Sequence, residues 1–122
     1  MKKESELPPP VETYIRTINA GDAIGLQATF AEDAIVKDVD REIRGVDAIL
    51  KWACHDIFAV KVRLEVTKVV EDQGQTIVTA KLDGTFDRTG LPDPFLMDHC
   101  FNISRGKIAA LTIKLTSHDE GI

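Results

Sequence analysis

Tyr14, Asp38 and the neighbouring pair Asp98 and His99 place groups that can give or take a proton among apolar residues. In "DAIVKDVD" (33–40), read as a short strand, Val36 and Asp38 fall on the same face. A carboxylate on an inward face is costly unless it is paired or put to use. Its plain alternative is a solvated strand end, because "DVDRE" is polar but for Val39. Tyr14, the only tyrosine, sits in an apolar stripe, so its ring can simply pack while its hydroxyl finds a local partner, or it can donate into a pocket. His99 has an unperturbed pKa of about 6.5, which suits proton transfer near neutrality; a hydrogen-bonded, half-buried histidine is the alternative. In an extended strand Asp98 and His99 must point to opposite faces. Phe95, Met97, His99, Phe101 and Ile103 alternate as an apolar face, a pleat that favours His99 inward over Asp98 without deciding between them.

The elements that must carry these groups can be read from periodicity. Pro8, Pro9 and Pro10 lead into a helix, "VETYIRTINAGD", in which Val11, Tyr14, Ile15 and Ile18 form one stripe. Gly21 is its expected left-handed cap, and Asp22 the N-cap of a second helix, "AIGLQATF", with Ala23, Leu26 and Phe30 on its buried side. After "REIRG" a third helix runs from near Asp47 to about Ile57, with Trp52 on its apolar side. Trp52 can line a cavity wall and stack on a flat ligand, or be an ordinary core residue; His55 and Asp56 are expected at the surface or rim. Strands follow: "VKVRLEVTKVV", "TIVTAKLDGTF", the stretch containing Asp98 and His99, and "IAALTIKLTS" after an "RGK" turn. Asp83 falls with the polar residues of its strand, so it is expected on the outer face. Helices followed by strands on short turns make an α+β domain, and a bent antiparallel sheet covered by helices leaves a mouth suited to a small molecule.

The chain of 122 residues is long enough for one domain; residues 1–7 read as a disordered tail and 8–122 as a single unit. Its apolar content of 43% and charged content of 29% are globular values. Fifteen basic residues against 20 acidic ones, with no basic cluster, argue against nucleic acid as a partner. Cys54 and Cys100 fit neither a disulfide framework nor a metal-ligand spacing and read as two buried, inert thiols. His55, His99 and His118 form no spaced metal motif, so no metal is expected. The opening "MKKESELPPP" lacks the apolar core of a signal peptide, and no apolar run approaches membrane-helix length. The expected location is therefore cytoplasmic, with no membrane partner.

Four stretches, "YIRTINAGD" (14–22), "FAEDAIVKD" (30–38), "RGVDAILKW" (44–52) and "DHCFNISRGKIAALTI" (98–113), resemble the NTF2-like superfamily. More narrowly, they resemble its SnoaL-like and ketosteroid isomerase-like members. The resemblance implies a cone in which three N-terminal helices pack on a strongly curved, mostly antiparallel sheet. Ketosteroid isomerase is itself a standard worked case of pKa tuning, in which an aspartate moves the proton while a tyrosine and a protonated aspartic acid hold the enolate oxygen. By that resemblance Asp38 matches the proton acceptor and Tyr14 the tyrosine donor. The third position is open: identity of the "DH" dipeptide points to Asp98, whereas the pleat and a shorter turn before Gly106-Lys107 point to His99. The neighbouring tyrosines that support the donor in the isomerase have no counterpart here.

Two functions follow as expectations. In one, the chain is a cofactor-independent isomerase- or cyclase-type enzyme acting next to the carbonyl of a small apolar substrate. Asp38, Tyr14 and His99 or Asp98 would then be catalytic, and Trp52, Phe30, Met97 and Phe101 would line the substrate site. In the other, it is a non-catalytic module that binds a small hydrophobic ligand or supports assembly. Either way a homodimer through the outer sheet face is expected, since Ile77, Leu96 and Cys100 give that face apolar area.

Overall fold

The computed structural model describes residues 7–87 and 89–116, so most of the expected tail, and His118, lie outside the described residues. Leu7, assigned to that tail, instead packs against the core. Helix α1 spans Pro9–Ala20, with prolines in the first turn, where the missing N–H groups have no intrahelical partner to lose. It ends at Gly21, whose φ of +73° is the left-handed cap expected from the sequence. Asp22 then caps α2 (Ala23–Thr29) by accepting a hydrogen bond from the Gly25 N–H at 2.9 Å. Strand β1 (Phe30–Asp38) begins at Phe30, the residue read as the end of α2.

"REIR", read as a connector, is a second strand, β2 (Arg41–Arg44), joined to β1 by the two-residue loop Val39-Asp40. Val39 adopts φ +59° at this turn, a conformation that costs a non-glycine residue about 1–2 kcal/mol. Its side chain is 63% exposed, so it recovers little by packing. Val39→Gly should therefore stabilise the fold, by ~0.5–1 kcal/mol after the extra chain entropy of glycine. A thermal melt should register this as a higher midpoint; a lower midpoint would mean that the turn is not strained.

Helix α3 (Val46–Ala53) passes directly into a π-helical segment, Cys54–Phe58. The widened turn ends the helical run near the expected Ile57 but redirects its last residues. Strands β3 (Arg63–Asp72), β4 (Gln75–Asp83), β5 (Leu96–Ser104) and β6 (Lys107–Leu115) complete the chain.

The sheet has the order β2-β1-β6-β5-β4-β3 and is antiparallel except for the β1–β6 pair. It is the curled, six-stranded sheet with three helices of the NTF2-like cone. A bulge in β3 between Val66 and Lys68 shifts the register against β4, so Val66 and then Val69, rather than Lys68, face inward. Asn19, at the end of α1, holds the edge strand β3 through both ends of its side-chain amide: its Nδ2 donates to the Leu64 carbonyl at 3.0 Å and its Oδ1 accepts from the Leu64 N–H at 2.7 Å. This pairing covers a backbone edge and fixes α1 over the concave face. Among the described residues, no helix is long and apolar enough to cross a membrane.

Candidate active site

The register of the central strands decides which polar groups look inward. Asp38 on β1 is level with Ile113 on β6, Ile113 with His99 on β5, and His99 with Val78 on β4. Residues level across a ladder share a face, so these four side chains form one row on the concave side. With strands about 4.8 Å apart, Asp38 and His99 stand roughly 10 Å apart across Ile113. The floor between them is hydrocarbon.

A cavity of about 180 Å³ opens over this floor. Its walls are mainly apolar, including Ile18, Leu64, Leu82, Phe86, Phe95 and Met97, and its titratable lining groups are Tyr14, Asp38, Asp56 and His99. Trp52 completes the wall from α3. The polar groups of the chamber and Trp52 thus come from five elements, α1, β1, α3, the π-helical segment and β5, while β3, β4 and β6 add apolar wall through Leu64, Leu82 and Ile113.

Asp38 is held from one side. Its Oδ2 accepts hydrogen bonds from Trp52 Nε1 at 3.0 Å and from an Arg41 guanidinium nitrogen at 2.8 Å. Among the described residues, Oδ1 accepts no hydrogen bond. The carboxylate is neither lone nor bathed in solvent: its side chain is 20% exposed, and one oxygen is anchored while the other is left open. Arg41 also pairs with Asp56 Oδ2, and Asp56 Oδ1 is 2.9 Å from His55 Nδ1. Partial burial pushes the Asp56 carboxyl up, but the hydrogen bonds from His55 and Arg41 outweigh it and hold the group below its usual range. Both carboxylates in turn raise the Arg41 pKa, Asp56 more than Asp38, so the guanidinium stays charged.

At the inner end of the chamber the polar groups are neutral. Tyr14 is 1% exposed, and burial, followed by the field of Asp38, raises its pKa far above that of a free phenol. It therefore stays protonated and can only donate or accept a hydrogen bond. Burial pushes His99 down to about 4, against smaller opposing effects from the backbone at Met97 and Val78 and from Asp98 and Asp38. At neutral pH it is an uncharged imidazole, and its buried Nδ1 has no hydrogen-bond partner among the described residues. An unpaired polar atom in an apolar enclosure is a cost that a bound polar group would relieve.

The remaining expected site residues fall elsewhere. Asp98 lies on the outer face, where its Oδ1 accepts hydrogen bonds from Thr79 Oγ1 at 2.7 Å and Thr116 Oγ1 at 2.8 Å. Phe30 and Phe101 are buried but do not line the cavity; their rings pack edge-on against Tyr14, with centroids 6.2 and 5.1 Å away, and so fix its position from behind. Met97 and Trp52 do line it. Asp56, expected at the surface or rim, lines the cavity with a partly exposed side chain one helical turn beyond Trp52. Arg41 was not singled out from the sequence. Its signal is the spacing of "DVDR": once a two-residue loop is recognised, residues 38 and 41 face each other across it. The cysteines differ from expectation too, since Cys54 is exposed and Cys100 is partly so. Among the described residues, no three His, Cys, Asp or Glu side chains gather as a metal site.

Residues 11–111 match the SnoaL-like domain. The chain belongs to this family. A protein from Sinorhizobium meliloti, provisionally described as a polyketide cyclase, is 31% identical; the match covers 93% of this chain and 100% of that one, with a TM-score of 0.81. An NTF2-like protein of unknown function from Cytophaga hutchinsonii is 13% identical, with 95% of each chain covered and a TM-score of 0.72. A protein from Kribbella flavida, provisionally described as a ketosteroid isomerase, is 16% identical over 94% of this chain and 81% of that one, also with a TM-score of 0.72. The last two establish only that the SnoaL-like chain shares their fold. No functionally curated protein matches it in sequence.

Proposed function

We propose that this SnoaL-like protein catalyses cofactor-independent proton transfer at the carbon next to a carbonyl in a small, largely apolar substrate, as in isomerase or cyclase chemistry. The observation that carries this reading is that Asp38 lines the apolar cavity together with Tyr14 and His99 while both of its hydrogen bonds from described residues fall on one oxygen, Oδ2. In the proposed reaction Oδ1 takes the proton from carbon, and the electron pair moves onto the carbonyl oxygen. Tyr14 and neutral His99 then donate hydrogen bonds to the developing enolate at the inner end. The substrate's own carbonyl is the electron sink, so the reaction as written needs no cofactor.

The cavity volume limits the substrate. About 180 Å³ is below the ~300–1,000 Å³ of pockets for drug-sized ligands. A compact bicyclic ketone suits it better than a large one, and Trp52 offers a flat wall for such a ring. The provisional cyclase and isomerase descriptions of the Sinorhizobium and Kribbella proteins are consistent with chemistry of this class.

The test is incubation with β-tetralone in heavy water, followed by proton NMR. Deuterium should enter at the carbon between the ring and the carbonyl faster than in buffer, and Tyr14→Phe should slow the protein-dependent rate by ~10²-fold, as expected for loss of one oxyanion donor. Binding of the ketone without accelerated exchange would favour a ligand-binding module. That second reading has its own support, because the engagement of Asp38 by Arg41 and Trp52 would also serve a purely structural tether.

The proposal includes a cytoplasmic homodimer paired through the outer sheet face, where Ile77, Leu96 and Cys100 are partly exposed. Light scattering at micromolar concentration should give twice the chain mass; a monomer would remove this part of the proposal.

A further inference from the structure

The role of Asp38 depends on what stops its carboxylate from rotating. Trp52 Nε1–H supplies one hydrogen bond to Oδ2, but a single donor leaves the group free to turn about that contact. Arg41 supplies the second bond to the same oxygen, from a side chain that is itself half exposed. A long, half-exposed arginine paired to one carboxylate would ordinarily be a weak and mobile contact. Here it is not paired to one. Asp56, rooted in the π-helical segment, takes the same guanidinium nitrogen from the other side, and His55 braces Asp56. The chain turn that delivers Arg41 is fixed as well: the Val39 N–H donates to the Ile113 carbonyl at 2.9 Å, and Asp38 and Arg41 are paired across the β1–β2 loop.

We infer that Arg41 is a positioning residue, held between Asp56 and Asp38, that fixes Asp38 Oδ2 and thereby aims Oδ1 into the cavity. Asp56 acts at one remove, by aiming Arg41. The catalytic meaning of this arrangement rests on the proposed role of Asp38 as proton acceptor. The clamp itself does not, because it concerns only how firmly the carboxylate is held.

Trp52 is the only tryptophan in the chain, so its indole N–H gives a single, unambiguous NMR signal from the hydrogen bond that shares Asp38 Oδ2. The experiment measures solvent exchange of that indole proton and, in parallel, deuterium uptake by β-tetralone. The proteins compared are the wild type, Arg41→Gln, Arg41→Lys and Asp56→Asn, each checked by thermal melting. Arg41→Gln should speed indole exchange at least about fivefold with the melting midpoint nearly unchanged. Asp56→Asn should do the same to a smaller degree. Arg41→Lys, which keeps a charge but not the planar fork, should fall between the wild type and Arg41→Gln. Where the wild type accelerates ketone exchange, Arg41→Gln should lower kcat roughly tenfold with little change in KM.

Indole exchange that is identical in the wild type and Arg41→Gln would overturn the inference. So would an Arg41→Gln effect fully reproduced by an equally destabilised variant at a remote site. An absence of ketone exchange in the wild type, with the indole effects intact, would count against the proposed reaction and leave the clamp standing.

Discussion

Replacing Asp38 with asparagine is expected to lower the rate of proton exchange on β-tetralone by ~10²–10⁴-fold, the range associated with removing a positioned general base. The amide oxygen can still accept from Trp52 Nε1 and Arg41, so both contacts that hold the side chain have a substitute partner. What is lost is the capacity to receive a proton. Because the Arg41–Asp38 pair is partly exposed, its conversion to a charge–dipole contact should cost no more than about 1 kcal/mol of stability. The two effects therefore separate cleanly. Exchange assays should show a near-complete loss, while urea titrations show a small shift. An Asp38→Asn protein that exchanges the ketone at the wild-type rate would exclude Asp38 as the proton acceptor.

The second large effect concerns stability in acid. His99 is buried and neutral, with a pKa lowered from 6.5 to about 4. In the unfolded chain the imidazole binds a proton near its ordinary pKa, whereas in the folded protein it resists until far lower pH. Between these values the unfolded state holds the extra proton, so stability falls as pH drops from about 6.5 towards 4 and is fully present above that window. A displacement of this size corresponds to a loss on the order of 3 kcal/mol. Carboxylates titrate at the lower end of the same range, which makes the comparison with His99→Gln necessary. Urea denaturation at about pH 7 and about pH 4 should show the wild type losing more stability than the variant does. Equal losses in the two proteins would mean that His99 is solvated or charged in the fold. The same shift implies that exchange activity should show no inflection near pH 6.5 attributable to His99, since the group is already neutral there.

Much of the architecture was legible because it follows from local rules. The stripe of Val11, Tyr14 and Ile18, the cap at Gly21 and the alternation of β4 and β5 all specify their elements without reference to distant residues. The same periodicities put Tyr14 in the apolar stripe and Asp38 on the face of Val36 but left a solvated Asp38 as the alternative; both line the cavity. The choice between Asp98 and His99 could be framed but not closed, because it turned on register. The bulge between Asn102 and Ile103 lies on the turn side of His99, so the alternation of Met97, His99 and Phe101 is undisturbed and His99 faces inward.

What was hidden depended on long-range assembly. Asp56 reads as a surface or rim residue one helical turn beyond Trp52, and its pairing with Arg41 on β2 is a contact that no local spacing shows. Arg41 looks like one more charge in a polar connector until "REIR" pairs with β1. Phe30 and Phe101 share the inward face with cavity residues yet lie behind Tyr14, a difference of depth that face assignment alone does not encode.

The most direct test of the site is a crystal structure with β-naphthol, a stable planar mimic of the enol of β-tetralone. The naphthol oxygen should lie within hydrogen-bond distance of Tyr14 Oη or a His99 ring nitrogen, with the ring against Trp52 and Asp38 Oδ1 over the carbon beside the C–O bond. A naphthol bound outside the chamber, or bound inside with its oxygen on Arg41 and its rings away from Asp38, would contradict the proposed chemistry.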